Sequence, residues 1–277
     1  MNYFEFCFEH LDDQQREILI AQLSSIHFEG FEENDHQLKA FIKESEFSED
    51  LFNNLIEVND IKYSKLIVKE KNWNEAWESD FMPVSVMLPG ATPVFAYIRA
   101  DFHSPLPSAL HDIIITPKMS FGTGHHATTF QMMEEMSSID FLNKVVIDFG
   151  TGTGLLSILA EKLGAKSIVA IDYDDWSINN AKENIENNNC TNIQLIKNDT
   201  CIINSGMADV ILANINLNVI LDNLISIKNC AANNAIVVFS GILVDDFPII
   251  SEKLTENAFN IIKTSNKDNW LVMITKL

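Results

Sequence analysis

The 277-residue chain is short of cysteine, of basic residues and of long apolar runs, and each shortage excludes something. Its four cysteines, Cys7, Cys190, Cys201 and Cys230, stand far apart with no Cys-x-x-Cys spacing, which argues against a disulfide framework and against cysteine zinc ligands. Lys plus Arg number 19 against 39 Asp plus Glu, a formal net charge of -20. Such a chain repels phosphate backbones and anionic lipid heads, so no direct nucleic-acid partner is expected. The longest apolar stretch, residues 235–244, is broken by Ser240 and Gly241. It falls far short of the ~20 residues of a membrane span, so no membrane association is expected. The first residues, Met1 to Phe6, offer no basic n-region and place Glu5 where a secretory signal wants an apolar core, so a cytoplasmic protein is expected. At 47% hydrophobic and 21% charged the chain has enough apolar matter for one large core or two modest ones, which excludes intrinsic disorder.

The apolar patterning divides the chain in two. Phe4, Phe6 and Phe8 recur at period two and predict a strand over residues 2–8. Asp12 and Gln15 have the spacing of a capping box ahead of a helical stripe of Ile18, Leu19, Leu23 and Ile26. Strands are predicted over 27–32 and 38–42, a helix from Ser48 through Leu51, Phe52 and Leu55, and a last strand over 65–68. This βαββαβ order predicts a small α+β ferredoxin-like domain over residues 1–68. Trp73 and Trp77 share one side of a predicted linker helix over 69–81, packing anchors of a connector more than substrate contacts. Six of the seven prolines fall between Pro83 and Pro117, a segment that can hold no long helix or central strand and is expected to wrap the following domain. From Lys144 short apolar strands alternate with helical segments: 145–149, 167–171, 193–196, 210–213 and 235–239, then 259–263 and 270–275. Residues 82–277 are therefore read as a doubly wound, Rossmann-like α/β domain.

The chemistry-bearing motif closes the first of these strands. Val145-Val146-Ile147-Asp148-Phe149 runs into Gly150-Thr151-Gly152-Thr153-Gly154 and then a helix. Glycines at such a turn let the backbone reverse sharply and let a ligand come within contact distance. Asp172 ends the next strand, 22 residues after Gly150, where a carboxylate can accept from two ribose hydroxyls. The spacing is G-x-G-x-G, with Leu155 where a dinucleotide fingerprint has its third glycine. No Gly-Lys-Ser/Thr follows, so pyrophosphate binding and ATP hydrolysis are both disfavoured.

A G-x-G-x-G turn with an acidic residue ending the second strand resembles the class I S-adenosylmethionine-dependent methyltransferases. The likeness narrows with Met119-Ser120-Phe121-Gly122-Thr123-Gly124-His125-His126-Ala127-Thr128-Thr129 and Leu212-Ala213-Asn214-Ile215. These, with Trp73-Asn74-Glu75-Ala76-Trp77 and Ser240-Gly241-Ile242-Leu243, resemble the bacterial ribosomal protein L11 methyltransferases. Ala127 departs from the proline that many members carry. The resemblance implies S-adenosylmethionine as cofactor, contacts to it from Thr129, Gly150, Gly152, Asp172 and Asn214, and ribosomal protein L11 as partner. It implies lysine ε-amines and an N-terminal α-amine as methyl acceptors.

Each position also has its own reading. Thr129 lies where a hydroxyl and free helix donors can meet a carboxylate, although a capping box of Thr128 with Gln131 would make it a bystander. Asp148 can hold the glycine turn or the cofactor's amine. Asn214 ends the fourth strand, at the switch point of a doubly wound sheet, and is the candidate catalytic residue, with a strand-end turn as the plainer alternative. Amino-methyltransferases often carry Asn-Pro-Pro-Tyr there; this chain has Asn214-Ile215-Asn216-Leu217 and lacks that aromatic clamp. Adjacent His125 and His126, with no His-Glu-x-x-His, suit a loop over the cofactor better than a metal. Asp199 can take an adenine amino group. Two other activities fit the same residues: methylation of another protein or a small amine, and a non-catalytic cofactor-binding partner of the ribosome.

Overall fold

The computed structural model describes the chain apart from residues 1, 10, 12, 25, 29, 35, 36, 60, 70–80, 89, 91, 92, 119 and 204–206. It divides into two compact units, Met1–Glu75 and Ala76–Leu277. The Asp12 cap and the Trp73–Trp77 helix expected from the sequence lie outside the described residues.

In the first unit β1 (Asn2–Glu9), α1 (Asp13–Ser24), β2 (Gly30–Asn34), β3 (Gln37–Lys43), α2 (Glu49–Asn59) and β4 (Tyr63–Lys69) follow one another. The strands lie in the order β2-β3-β1-β4, all neighbours antiparallel. Because side chains alternate across a strand, Phe6 and Phe8 of β1 and Leu38, Ala40 and Ile42 of β3 turn to one face. There they share a core with Leu19 and Leu23 of α1 and Phe52 and Ile56 of α2. The strand expected from His27 begins only at Gly30. His27 takes φ 73°, and the N–H groups of Ile26 and Phe28 both donate back to Leu23 O, so these residues are still closing α1.

The second unit opens with β5 (Val84–Val86), β6 (Ala96–Arg99) and β7 (His111–Ile114), a small sheet of its own in the order β5-β6-β7. The described prolines of the segment fall outside these strands, so two short ladders form where a mere wrapping was expected. Then come α3 (Ala127–Met136), β8 (Val145–Phe149), α4 (Leu155–Lys162), β9 (Ser167–Asp172), α5 (Asp175–Asn187), β10 (Ile193–Lys197), β11 (Ala208–Asn214), α6 (Leu217–Cys230) and β12 (Ala231–Leu243). A 3₁₀ turn (Val244–Asp246), α7 (Phe247–Glu256), β13 (Asn260–Lys267) and β14 (Trp270–Lys276) complete the chain.

The large sheet has the order β10-β9-β8-β11-β12-β14-β13. Its first five strands are parallel, and β14 runs antiparallel between β12 and β13. Consecutive residues of one strand feed opposite cores: Val146 packs with Met132, Leu155 and Leu159 on one face, Ile147 with Ile220, Leu224 and Ile250 on the other. Two covered faces are why these strands read as continuous apolar runs. From β8 the chain winds outward through β9 and β10, then returns to β11 on the other side of β8. That reversal opens a crevice at the carboxyl ends of β8 and β11.

Candidate active site at the carboxyl edge of the sheet

The turn after β8 is bound on every side. Gly150 and Gly152 have φ of 78° and 55°, a region L-residues avoid. A Cβ on Gly150 would stand 2.1 Å from Ile215 Cγ2, and one on Gly152 2.3 Å from the Phe121 carbonyl oxygen. The N–H groups of Gly150 and Thr151 donate to Ile171 O at 2.8 and 2.9 Å. Thr153 ties the loop before α3 to the turn, its N–H donating to Phe121 O at 3.0 Å and its Oγ1 to Gly122 O at 2.6 Å. Asp148 is fully buried beneath. Its Oδ2 accepts from Thr151 Oγ1 at 2.6 Å and from the N–H and Oγ of Ser157 at 3.1 and 2.7 Å, which pins the turn to the first residues of α4. Burial pushes the Asp148 carboxyl above the ordinary aspartate range; the Thr151 and Ser157 bonds oppose the shift and the nearby Asp172 charge adds to it.

A cavity of about 480 Å³ lies over this edge, and strand order fixes what lines each part. Beyond β9 and β10 the walls are Asp172, Tyr173, Asp174, Ser177, Asn198 and Asp199. Gly150 and Gly152 form the middle, and beyond β11, β12 and β14 stand Asn214, Ile215, Gly241 and Trp270. Phe121, His126 and Thr128 reach the lining from the loop and first turn of α3. Asp172 Oδ2 accepts the Gly152 N–H at 2.9 Å and its Oδ1 the Asp174 N–H at 3.1 Å, so each oxygen keeps acceptor capacity for a ligand.

Asn214 is 7% exposed, and its Nδ2 donates to Thr129 Oγ1 at 3.2 Å. Its Oδ1 has no partner among the described residues. Among the described residues, buried side-chain atoms in that condition are found on Ser120, Gln131, Asp148, Asn180 and Asn214, and of these residues only Asn214 lines the cavity. A buried acceptor left unpaired costs roughly 1–3 kcal/mol, so one on a residue of the cavity lining marks where a donor belongs.

Of the five positions expected to contact a cofactor, Gly150, Gly152, Asp172 and Asn214 line the cavity. Thr129 is 0% exposed and stands behind Asn214, while Thr128 takes the wall. The capping box of Thr128 with Gln131 does not form at this helix. The cap of α3 is His126, whose Nδ1 lies 2.8 Å from Thr128 Oγ1 and accepts the Thr128 N–H at 3.4 Å. Gln131 instead donates to Trp270 O at 3.2 Å. His125 diverges from its neighbour: its Nε2 lies 2.8 Å from Met82 O and its ring meets Phe81 edge-on at 4.8 Å. Sequence reasoning missed Trp270, because nothing in a run of apolar residues says that the last strand inserts antiparallel and brings its first residue to the carboxyl edge.

The family model for ribosomal protein L11 methyltransferase (PrmA) matches residues 9–277. The chain belongs to the ribosomal protein L11 methyltransferase family. A family member from Bacteroides thetaiotaomicron is 33% identical over 98% of each chain, and one from Porphyromonas gingivalis is 35% identical over 99% of this chain and 97% of that one. Among solved structures, a ribosomal protein L11 methylase from Lactobacillus delbrueckii subsp. bulgaricus superposes with a TM-score of 0.60 at 31% identity, covering 65% of this chain and 93% of that one. A methyltransferase from Pyrococcus furiosus, at 18% identity and a TM-score of 0.50, shares the fold.

Proposed function

We infer that this protein transfers methyl groups from S-adenosylmethionine to amines of ribosomal protein L11. Family membership supports the activity, and the observation that carries the chemistry is the unpaired, buried Oδ1 of Asn214, a residue of the cavity lining. The residues present fit the cofactor. The cavity is of the size that buries a small ligand, within the usual ~300–1,000 Å³. Asp172 offers spare acceptor capacity where ribose hydroxyls would lie, and the glycine turn leaves no side chain in the way. When bound, the cofactor supplies an electrophilic methyl carbon on a sulfonium.

The protein's own residues handle the acceptor amine. A free lysine has a pKa of about 10.4, so presenting it neutral at pH 7 costs about 4.6 kcal/mol. A carboxylate beside it would hold the proton on and raise that cost. Asn214 Oδ1 accepts one amine N–H without a full negative charge and turns the lone pair toward the methyl donor. Thr129 acts through Asn214: by accepting from Nδ2 it fixes the orientation of the amide. An N-terminal α-amine, with a pKa of about 7.7 to 8.0, needs less help.

The first unit is the substrate-recognition domain, a reading supported by its strand order and separate core. The 69–81 segment is the linker to the methyltransferase domain of residues 82–277. The net charge of -20 favours a basic protein partner over a phosphate backbone. Among the described residues no helix is long and apolar enough to cross a membrane. A ribosomal protein as substrate supports a cytoplasmic site of action. The test is a labelled methyl donor incubated with the purified protein and ribosomal proteins from unmethylated cells. Label on L11 is expected; label confined to another protein or a small amine, or no label, overturns the assignment.

A further inference from the structure

We propose that Phe121, His126 and Trp270 form an alkylammonium subsite at the Asn214 end of the cavity, which holds the amine through its methyl surface as N–H groups are lost. The inference rests on the amine methylation proposed above. All three residues line the cavity, and their rings form a continuous wall: Phe121 and His126 are 5.1 Å apart at 60°, His126 and Trp270 4.9 Å apart at 66°. The wall is tied to Asn214 through one helix turn. His126 caps α3, Thr129 in its first turn holds the Asn214 amide, and Gln131 holds the Trp270 carbonyl.

What is missing at this end decides the ligand class. The carboxylates of the lining, Asp172, Asp174 and Asp199, belong to β9, β10 and the residues just after them, on the far side of β8. Around Asn214 the walls are aromatic, aliphatic, hydroxyl or, at Asn216, a second amide, and none is a carboxylate. An ammonium ion carries three N–H donors on a lysine and loses one with every methyl gained, so the lone acceptor of Asn214 weakens as a partner with each transfer. Aromatic faces behave oppositely. They attract a cation within ~6 Å of the ring centroid and need no donor, and methyl groups bring them apolar contact as well. Asn214 therefore orients the unmethylated amine, and the ring wall retains the methylated one.

The test compares Nε-trimethyl-lysine amide with its neutral isostere, in which a tert-butyl group replaces the trimethylammonium. Each is titrated by NMR into the protein saturated with S-adenosylhomocysteine. The charged probe is expected to bind about tenfold more tightly, the size of a desolvated cation–π contribution. Phe121→Ala and Trp270→Ala should each erase most of that preference and Trp270→Phe should keep it, with S-adenosylhomocysteine affinity measured by calorimetry for every variant so that loss of the cofactor is told apart from loss of the subsite. Equal binding of the two probes, no binding of either, or a preference that survives both alanine variants overturns the subsite. Wild-type labelling of L11 alongside such a result leaves the proposed function standing; absence of labelling removes that function instead.

Discussion

The two ends of the cavity are built from opposite materials. Over β9 and β10 three aspartates line the wall. Asp172 accepts the Gly152 and Asp174 N–H groups, and the Ser177 N–H beside Asp174 holds that carboxyl below its usual range. Over β11, β12 and β14 the wall carries two amides, a glycine, and aliphatic and aromatic side chains, with no carboxylate. Formal charge suits a ligand rich in hydroxyl donors. It would defeat a reaction that needs an amine stripped of its proton, and the sheet separates the two requirements by the width of its central strands.

Putting a carboxylate at the amide end breaks this comparison most directly. Asn214→Asp should slow methyl transfer roughly 100-fold at neutral pH, since a carboxylate within ~4–6 Å raises a neighbouring amine's pKa by about 1–3 units. Turnover should recover as pH rises, while calorimetry finds cofactor affinity within a few-fold of wild type. A variant as fast as wild type at pH 7 would remove Asn214 from the chemistry. Emptying the acidic end instead should act on binding. Asp172→Ala is expected to weaken S-adenosylmethionine by roughly 1–3 kcal/mol, the usual worth of hydrogen bonds to a charged group, with turnover at saturation less affected. Unchanged affinity would reject its ribose role. A smaller effect is expected behind the wall, where Thr129→Val leaves the Asn214 amide free to rotate. It should lower kcat by up to about tenfold at constant cofactor KM, and Thr129→Ser should restore it, because the lost bond is a neutral one worth about 0.5–1.5 kcal/mol. A raised cofactor KM with normal kcat would return Thr129 to the direct contacts that the family resemblance implies.

The same contrast explains what could be read from the chain beforehand. The acidic end is local in sequence. Gly150, Gly152 and Asp172 belong to one strand–turn–helix–strand unit, so spacing along the chain suffices to place them. The amide end is assembled from β11, β12, β14 and the loop before α3, which meet only through sheet order. Asn214 was legible because it ends a strand beside β8. Trp270 was not, because the antiparallel insertion of β14 leaves no periodic mark. Gly241 sits in a β12 that runs from Ala231 to Leu243, beyond the expected 235–239, with a register shift against β14 between Phe239 and Ile242. The apolar period breaks at that irregularity, which hides the last residues of the strand from a reading of the sequence. Thr128 and Gln131 had the spacing of a capping box, but His126 caps the helix and the Trp270 carbonyl claims the Gln131 amide. A tertiary partner outcompeted a local one.

Asp148 lies buried beneath the glycine turn, and its titration sharpens the comparison at the smallest scale. Burial raises its pKa in the folded protein, so between the unfolded aspartate value of about 3.9 and the higher folded one the native state binds more protons than the unfolded chain. Stability must therefore fall as pH climbs through that window, and below it the group contributes nothing. Asp148→Asn keeps an oxygen for Thr151 and Ser157 and has no proton to lose. Urea denaturation across a pH series should thus show the variant gaining on wild type from about pH 4 upward, on top of a constant offset for its buried amide. Part of the wild-type slope comes from the Asp172 charge, so it should flatten in Asp172→Ala. Parallel curves for wild type and Asp148→Asn would mean that Asp148 keeps an ordinary pKa, and that the Thr151 and Ser157 hydrogen bonds fully offset its burial.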